Sequence, residues 1–275
     1  MPAKFESIST ASAGGGSSLP TPKPAGLLVG ELMIGLFGLK GFGAGVVLFP
    51  PSGWTSLTGT VAHPLDSPFW ELSFKVADAA DVAASDFTFS SNASSRLLSW
   101  IMRISGAALV NPVDVQAIVD SVLTSVPCPD ILATAASALI VRYSAARADA
   151  GATGPPTSAI AGHTKRGDFT EASLNFNTSV FTEDALQAAG QTGVETIVYP
   201  GATGGPFRAF GGTIAVQSAI TGGGPTAFMG DPSALRPPGE RMQRAEGYKV
   251  PVPKGLRLKN PVRRIEDAWR ELRRK

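Results

Sequence analysis

The chain has few of the side chains from which catalytic and metal-binding sites are usually built. It holds one cysteine, Cys128, and two histidines, His63 and His163, among 275 residues. A single cysteine excludes an internal disulfide and a cysteine-based zinc site. Both histidines stand in loop-like sequence, which favours exposed loop residues over catalytic or ligating groups. We therefore expect neither a bound metal ion nor a cofactor.

The motifs of the common enzyme classes are also missing. The glycine-rich segments 14–18, 201–205 and 221–225 have no lysine and no strand-to-helix context for phosphate binding, and there is no GxSxG or HExxH motif. Three clustered carboxylates, Asp78, Asp81 and Asp86, lack the spacing of a calcium loop. No carboxylate pair is placed as glycoside hydrolysis requires. Composition leaves a Ser/His/Asp triad open, but nothing marks a nucleophile, and we predict a protein that is not an enzyme.

Charged residues make up only 17% of the chain, which contains 31 glycines and 22 prolines. Such a chain forms many turns and little long helix, which favours an all-β fold. The longest apolar stretch, residues 26–51, is interrupted by Glu31, Lys40 and several glycines, so it indicates β structure rather than a membrane helix. The first twenty residues lack a signal-peptide core. We expect no membrane association and synthesis in a reducing cytoplasm.

An internal duplication is a further prediction from the sequence. Five segments of the first half have counterparts in the same order, roughly a hundred residues later. The pairs are 30–39 with 137–146, 49–59 with 154–166, 71–76 with 172–181, 86–91 with 195–201, and 96–107 with 207–219. We therefore predict a β-sandwich or jelly-roll-like body built from two similar halves, residues 25–107 and 108–222.

Two segments outside these halves differ in composition. Residues 1–24 are rich in Ser, Gly, Thr and Pro with almost no large apolar side chains, and we predict an extended N-terminal arm that is ordered only when a neighbour holds it. Residues 223–259 form a Pro/Gly-rich basic tether. From Arg236 onward the chain has 13 Lys/Arg and 5 Asp/Glu, whereas the preceding 235 residues have 11 and 17. An acidic body thus carries a basic tail.

The last segment, residues 260–275, is predicted to form a short amphipathic α-helix. Asn260 and Pro261 suit its first positions, and four apolar side chains fall on one face: Val262, Ile265, Trp269 and Leu272. Basic residues beside this stripe are Arg263, Arg270 and Arg273. The stripe favours docking on another protein. Packing on the chain's own body and binding of nucleic acid are the alternatives, and the last is least favoured because an electrostatic arm needs no apolar stripe.

Two tryptophans are candidates for a carbohydrate-binding platform. Trp54 and Trp70 offer aromatic faces of the kind that stack on the apolar surfaces of ligands. In a β body rich in small residues, large aromatic side chains more often belong to the core. Burial is therefore the competing interpretation for both residues.

Several turn and strand segments form an ordered set that runs through the first half and into the start of the second. They are PKPAGLLVGELMIG (22–35), PPSGWTSL (50–57), FKVADAADVAASDFTFSS (74–91), RLLSWIMRISG (96–106) and NPVDV (111–115). The second half has PPTSAIAGHTKR (155–166) at the matching turn, without the Gly-Trp-Thr of the first. Over residues 25–220 the set resembles a class of tailed-phage virion structural proteins. The resemblance implies a β-sandwich or jelly-roll-like fibre, spike or decoration module, and it carries over no catalytic residue.

Together these observations predict a non-enzymatic phage virion structural protein. We expect a head decoration, spike, collar or tail fibre component, attached through its terminal segments to capsid, portal/neck or tail proteins. Several copies are expected, as a homo-oligomer. The expected location is the virion, after synthesis in the host cytoplasm. The alternative is an adhesin that binds carbohydrate on the host surface.

Overall fold

The computed structural model describes residues 1–41, 45–62, 68–148, 160–170, 176–183, 185–199 and 207–219. These residues are almost entirely β, as predicted, with one short helix, α1 (Ala79–Ala83). The strands are β1 (Lys4–Ala13), β2 (Ser18–Pro22), β3 (Leu32–Lys40), β4 (Leu48–Phe49), β5 (Thr55–Ser56), β6 (Val61–Ala62), β7 (Phe69–Val76), β8 (Asp86–Ser91), β9 (Arg96–Ser105), β10 (Val113–Ser121), β11 (Ser125–Cys128), β12 (Leu132–Ala133), β13 (Ala138–Ala148), β14 (His163–Thr170), β15 (Phe176–Glu183), β16 (Gly190–Gln191), β17 (Glu195–Val198) and β18 (Phe207–Gln217).

Two large antiparallel sheets form the centre of the body. Sheet I has the strand order β1-β9-β3-β7-β5, with β6 also pairing with β7, and sheet II has the order β10-β18-β13-β15-β14. Strands β3 and β9 are nearly continuous apolar runs and are buried along most of their length. Such runs are expected where both faces of a sheet are covered.

The two sheets have the same topology. Strand β1 corresponds to β10, β9 to β18, β3 to β13, β7 to β15 and β5 to β14. These strands follow one another in the same order across the two sheets. A smaller antiparallel sheet accompanies each large one, β2-β8-β4 in the first half and β11-β17 in the second, where β12 also pairs with β16. All five predicted segment pairs fall on corresponding strands: β3 and β13, β5 and β14, β7 and β15, β8 and β17, β9 and β18. The body is therefore built from two similar halves, as the sequence predicts.

Sheets I and II pack face to face and share one core. Alternate residues of each long strand point into it, including Leu98 and Trp100 of β9 and Val141 and Tyr143 of β13. The rings of Trp100 and Tyr143 meet edge to face, with centroids 6.3 Å apart. Because the largest buried cluster contains side chains from both halves, the halves form one β-sandwich.

The smaller sheets cover the outer faces of the large ones. Phe37 of sheet I stacks on Phe89 of β8, with ring centroids 5.3 Å apart. In the second half, Val126 of β11 and Ile197 of β17 pack on Phe181 of sheet II. The body thus has four layers, and both faces of β3 and β9 are covered by other parts of the protein. This arrangement explains why these two strands are apolar on both sides.

The predicted N-terminal arm belongs to the body. The backbone of residues 1–24 is extended, but β1 pairs along its length with β9, from Lys4 opposite Ser105 to Ala13 opposite Leu97. Strand β2 pairs with β8. The prediction that this segment lies outside the halves is wrong. An edge strand needs few large apolar side chains, and β2 tolerates Pro20 and Pro22 because it pairs on one side only.

The remaining C-terminal predictions lie outside the described residues. This applies to the tether, residues 223–259, and to the helix, residues 260–275. In the described part of the chain, no helix has the length and apolar character needed to cross a membrane.

Candidate functional site

Trp70 lies in the core between the two large sheets. Its side chain is 1% exposed and stacks on Phe176 of sheet II, with ring centroids 4.8 Å apart. The residue opposite it on β3 is Gly38, and a Cβ there would overlap the indole. A carbohydrate cannot reach this ring. The prediction of Trp70 as a glycan-binding residue is wrong, and the competing interpretation is correct.

Trp54 is also buried, beneath the smaller sheet of the first half. It follows a turn at Pro51–Gly53, in which the Trp54 N–H donates to the carbonyl oxygen of Pro51 at 3.1 Å. Its side chain is 8% exposed, and its ring packs edge-on against Phe87 and Phe89 at centroid distances of 5.5 and 5.9 Å. The prediction of a glycan platform at Trp54 is therefore wrong as well.

His163 belongs to a buried polar cluster on the outer face of sheet II. Its side chain is 4% exposed, so its interpretation as an exposed loop histidine is wrong. Arg142 donates to Nε2 of His163 at 3.2 Å, to the hydroxyl of Thr213 at 3.1 Å and to the carbonyl oxygen of Thr192 at 2.8 Å. Glu183 Oε1 lies 3.6 Å from Nε2 of His163. The buried guanidinium of Arg142 therefore has hydrogen-bond partners within the fold.

The carboxylates between β7 and β8 also have structural partners. Asp78 caps α1 by accepting hydrogen bonds from the N–H groups of Ala80 and Asp81, and Asp81 accepts from the N–H of Asp78 in return. Asp81 also pairs with Lys75 at 2.7 Å. Within the described residues, no group of three or more His, Cys, Asp or Glu is placed to hold a metal ion. His63 lies outside those residues.

Met1 lies beside Ala219, which follows the last strand of the second half, at one end of the sandwich that we call the terminal end. The amino group of Met1 donates to the carbonyl oxygen of Ala219 at 3.4 Å, and the N–H of Ala3 donates to the hydroxyl of Ser218 at 2.9 Å. The N–H of Ala219 donates to the carbonyl oxygen of Gly106 at 2.7 Å. The start of the first half is thereby tied to the end of the second.

Exposed apolar side chains surround the terminal end. They are Leu28 and Val29, in the loop before β3, and Leu109 and Val110, in the loop between the halves. The two loops are neighbours, because a Cβ on Gly30 would lie 3.6 Å from Cδ2 of Leu109. We call these four residues the apolar tip. Neighbouring exposed apolar side chains can mark a surface that another molecule covers.

The apolar tip was not among the sites predicted from the sequence. The sequence holds a usable signal for it, because Leu109 and Val110 lie between Gly106 and Asn111, two residues with positive φ that mark turns. The seven residues predicted for partner docking lie outside the described part of the chain: Val262, Arg263, Ile265, Trp269, Arg270, Leu272 and Arg273.

No protein family, curated protein or solved structure that was compared with the chain matches it.

Proposed function

We propose that the protein is a non-enzymatic phage virion structural protein, a head decoration, spike, collar or tail fibre component. The observation that carries this proposal is the position of Met1 and Ala219 together at one end of the body, beside the apolar tip. In this arrangement one end attaches to the particle and the rest of the sandwich stands away from it. The partners are capsid, portal/neck or tail proteins.

The four-layer body supports this role because it is a stiff unit. Both faces of β3 and β9 are covered by other parts of the protein, and the halves share their central core. A module of this kind keeps its shape while its end is held. The proposal needs no catalytic group, and the buried polar cluster around Arg142 contributes to folding rather than to chemistry.

The C-terminal segment is the second attachment element in this proposal. Ala219 lies at the terminal end, and the basic tether and the amphipathic segment follow it in the sequence. The apolar stripe of Val262, Ile265, Trp269 and Leu272 docks on a neighbouring virion protein, with arginines at its rim. Attachment at two places favours stable incorporation, since the second contact forms at a high effective concentration.

Particle incorporation tests the proposal. A tagged chain is expressed during infection by the phage that encodes it, and purified particles are analysed by quantitative mass spectrometry. We expect the protein in the particles, and we expect the double variant L109S/V110S and deletion of residues 260–275 each to lower its copy number. The matched control is V122S/L123S at the other end of the body, since Leu109 and Leu123 are both 65% exposed.

Two outcomes would contradict this assignment. The protein would be absent from purified particles, or all three variants would be incorporated as well as the wild type. Carbohydrate binding by the full chain on a glycan array, without incorporation into particles, would instead favour the adhesin alternative. That alternative has lost its two aromatic candidates, because Trp54 and Trp70 are buried.

A further inference from the structure

Strand β1 lies at one edge of sheet I. Of the described strands, only β9 pairs with it. Detachment of β1 would therefore break one described ladder and would displace no other described strand. Its counterpart in the second half, β10, is also an edge strand, but it lies between β9 and β11 in the chain. Movement of β10 would disturb strands on both sides of it, so β1 is the edge strand that detaches more easily.

The side chains of β1 are less deeply buried than those of its neighbour. All ten residues of β1 are half-buried or exposed, whereas β9 is buried along most of its length. Phe5 and Ile8 contact the central core as partly buried side chains, and Ala11 and Ala13 contact the outer cluster of the first half in the same way. Because docking of β1 buries little apolar surface, we expect this strand to open at a lower free energy than the central strands.

A glycine hinge connects β1 to the rest of the first half. Gly14 and Gly15 follow the strand directly, and nothing lies within 4 Å of a Cβ at either position. The next residue is held in place, because the carbonyl oxygen of Gly16 accepts a hydrogen bond from the N–H of Ser95 at 2.8 Å. Glycine adopts a wider range of backbone conformations than other residues. Strand β1 can therefore change direction at Gly14 and Gly15 while the residues after them stay fixed.

The place that β1 occupies is complementary to its own sequence. The ladder with β9 shifts register between Phe5 and Ser7, so a bulge of the same kind is needed in any strand that binds there. The guanidinium of Arg166 lies over the Phe5 ring, 4.7 Å from its centroid. The hydroxyl of Ser7 donates to the carbonyl oxygen of Ala25 at 3.0 Å. These requirements favour the β1 strand of a second copy over an unrelated partner.

We propose that β1 exchanges between copies of this protein, so that β1 of one copy pairs with β9 of its neighbour. An exchanged strand makes the same contacts as a strand in its own body, and the two arrangements differ mainly in how the partner strands are supplied. A short flexible linker supplies its own strand at an effective concentration of roughly 1 mM. Exchange is therefore rare in dilute solution and becomes competitive where copies are crowded together.

The exchange of β1 does not depend on attachment to a virion. It concerns contacts between copies of this chain, whereas the apolar tip and the C-terminal segment are proposed to contact other virion proteins. Absence of the protein from particles would leave strand exchange unchanged. Conversely, a β1 strand that stays in its own body would leave incorporation into particles unchanged.

Disulfide trapping between two cysteine variants of the full chain tests the inference. K4C and S105C place thiols directly opposite each other on β1 and β9, at a separation that a disulfide can span. The two variants are mixed at about 1 mM, incubated and then oxidised. The disulfide between the introduced thiols joins two chains only where β1 has exchanged. Mass spectrometry identifies this product, and Cys128 does not compete because it is buried.

The matched control is K4C mixed with S85C. Ser85 is exposed and Ser105 only half-buried, so random collision would favour the control pair. We expect the K4C and S105C mixture to form its heterodimer at least about tenfold faster than the control mixture. The double variant K4C/S105C, oxidised in dilute solution, should instead form a disulfide within one chain. Its closure shows that β1 pairs with β9 in the isolated protein.

A shorter hinge gives a second measurement. Deletion of Gly14 and Gly15 should prevent β1 from reaching β9 of its own chain, since short hinges favour exchange. We expect light scattering to show a shift from monomer to dimer or larger species, with circular dichroism confirming that the variant is folded. A folded variant that remains monomeric would overturn the proposal. If the variant does not fold, the cysteine experiment decides.

Three results of the cysteine experiment would each overturn the proposal. The first is cross-linking of K4C with S105C that is no faster than cross-linking of K4C with S85C. The second is failure of the double variant to close, because β1 would then not pair with β9. The third is faster cross-linking of K4C with itself than with S105C, which would indicate that two β1 edges pair with each other instead of exchanging.

Discussion

The indole N–H of Trp100 donates to the hydroxyl of Thr178 at 3.1 Å, across the interface between the two halves. Thr178 in turn donates to the carbonyl oxygen of Ser144 at 2.7 Å. Trp100 and Thr178 are both fully buried. These two hydrogen bonds link sheet I to sheet II through the buried core. An unpaired N–H at this depth would be costly.

Replacing Thr178 with valine should destabilise the protein by about 1–3 kcal/mol, because it leaves the buried N–H of Trp100 without an acceptor. Urea unfolding measures the change in free energy. In a W100F background the same replacement should lower the free energy of unfolding by less, because no indole N–H then needs a partner. The difference between the two losses measures the contribution of this hydrogen bond. Equal costs in the two backgrounds would show that the bond contributes nothing.

Gly212 lies directly opposite Tyr143, whose ring covers it in the same way that Trp70 covers Gly38 in the first half. Alanine at position 212 would force its methyl group into this ring. We expect G212A to lower the free energy of unfolding by about 1–3 kcal/mol. G14A is the control, because nothing lies within 4 Å of a Cβ at that position. Equal stability of the two variants would be inconsistent with the observed packing.

Glu71 predicts a pH dependence of stability. Burial raises the pKa of its carboxyl above the usual range, although a hydrogen bond from Ser56 partly offsets this. The native state therefore holds the proton more tightly than the unfolded chain, and the stability of the wild type should fall as pH rises through the native pKa. E71Q should not show this loss. Thermal unfolding should show that the melting temperature of E71Q relative to wild type rises as the pH is raised from 4 to 8.

The matched variant for this experiment is S56A. It removes the hydrogen bond that favours the ionised carboxylate, so it should steepen the pH dependence rather than abolish it. A difference in melting temperature between E71Q and wild type that does not change between pH 4 and pH 8 would mean that Glu71 is not held in a desolvated site.

Cys128 should be chemically inert in the native protein. It is fully buried, and desolvation raises the pKa of its thiol to about 12. Only the thiolate reacts readily with alkylating reagents. Labelling with iodoacetamide at pH 8, followed by mass spectrometry, should be on the order of a hundredfold slower in buffer than in concentrated urea. Comparable rates would indicate that β11 opens readily from the body.

The sequence was sufficient to predict the all-β fold and its duplication, because both leave local signals. Phe87 and Phe89 alternate with polar residues on a half-buried strand, and residues 97–104 form the apolar run of a central strand. Strand β1 was missed because its side chains are small and half-buried, as an edge strand allows. Its place in sheet I depends on pairing with β9, about ninety residues later, which no local pattern reveals.

The site predictions were less successful, for a related reason. Trp70, Leu72 and Phe74 fall on one face of β7, and this alternation was a usable signal that Trp70 is buried. In contrast, no local sequence pattern indicates that Lys40 and Arg147 lie close together. Only the packing of two duplicated sheets brings these residues to the lining of one groove.

The shared interface also has a consequence for synthesis on the ribosome. All strands of sheet I have been made once Ser105 emerges, but the inner face that carries Trp70 and Trp100 has no cover until sheet II follows. A first half from a neighbouring nascent chain is the nearest substitute, since the two halves share one topology. The short connection between β9 and β10 counters this exchange, because it keeps the correct partner at a high local concentration.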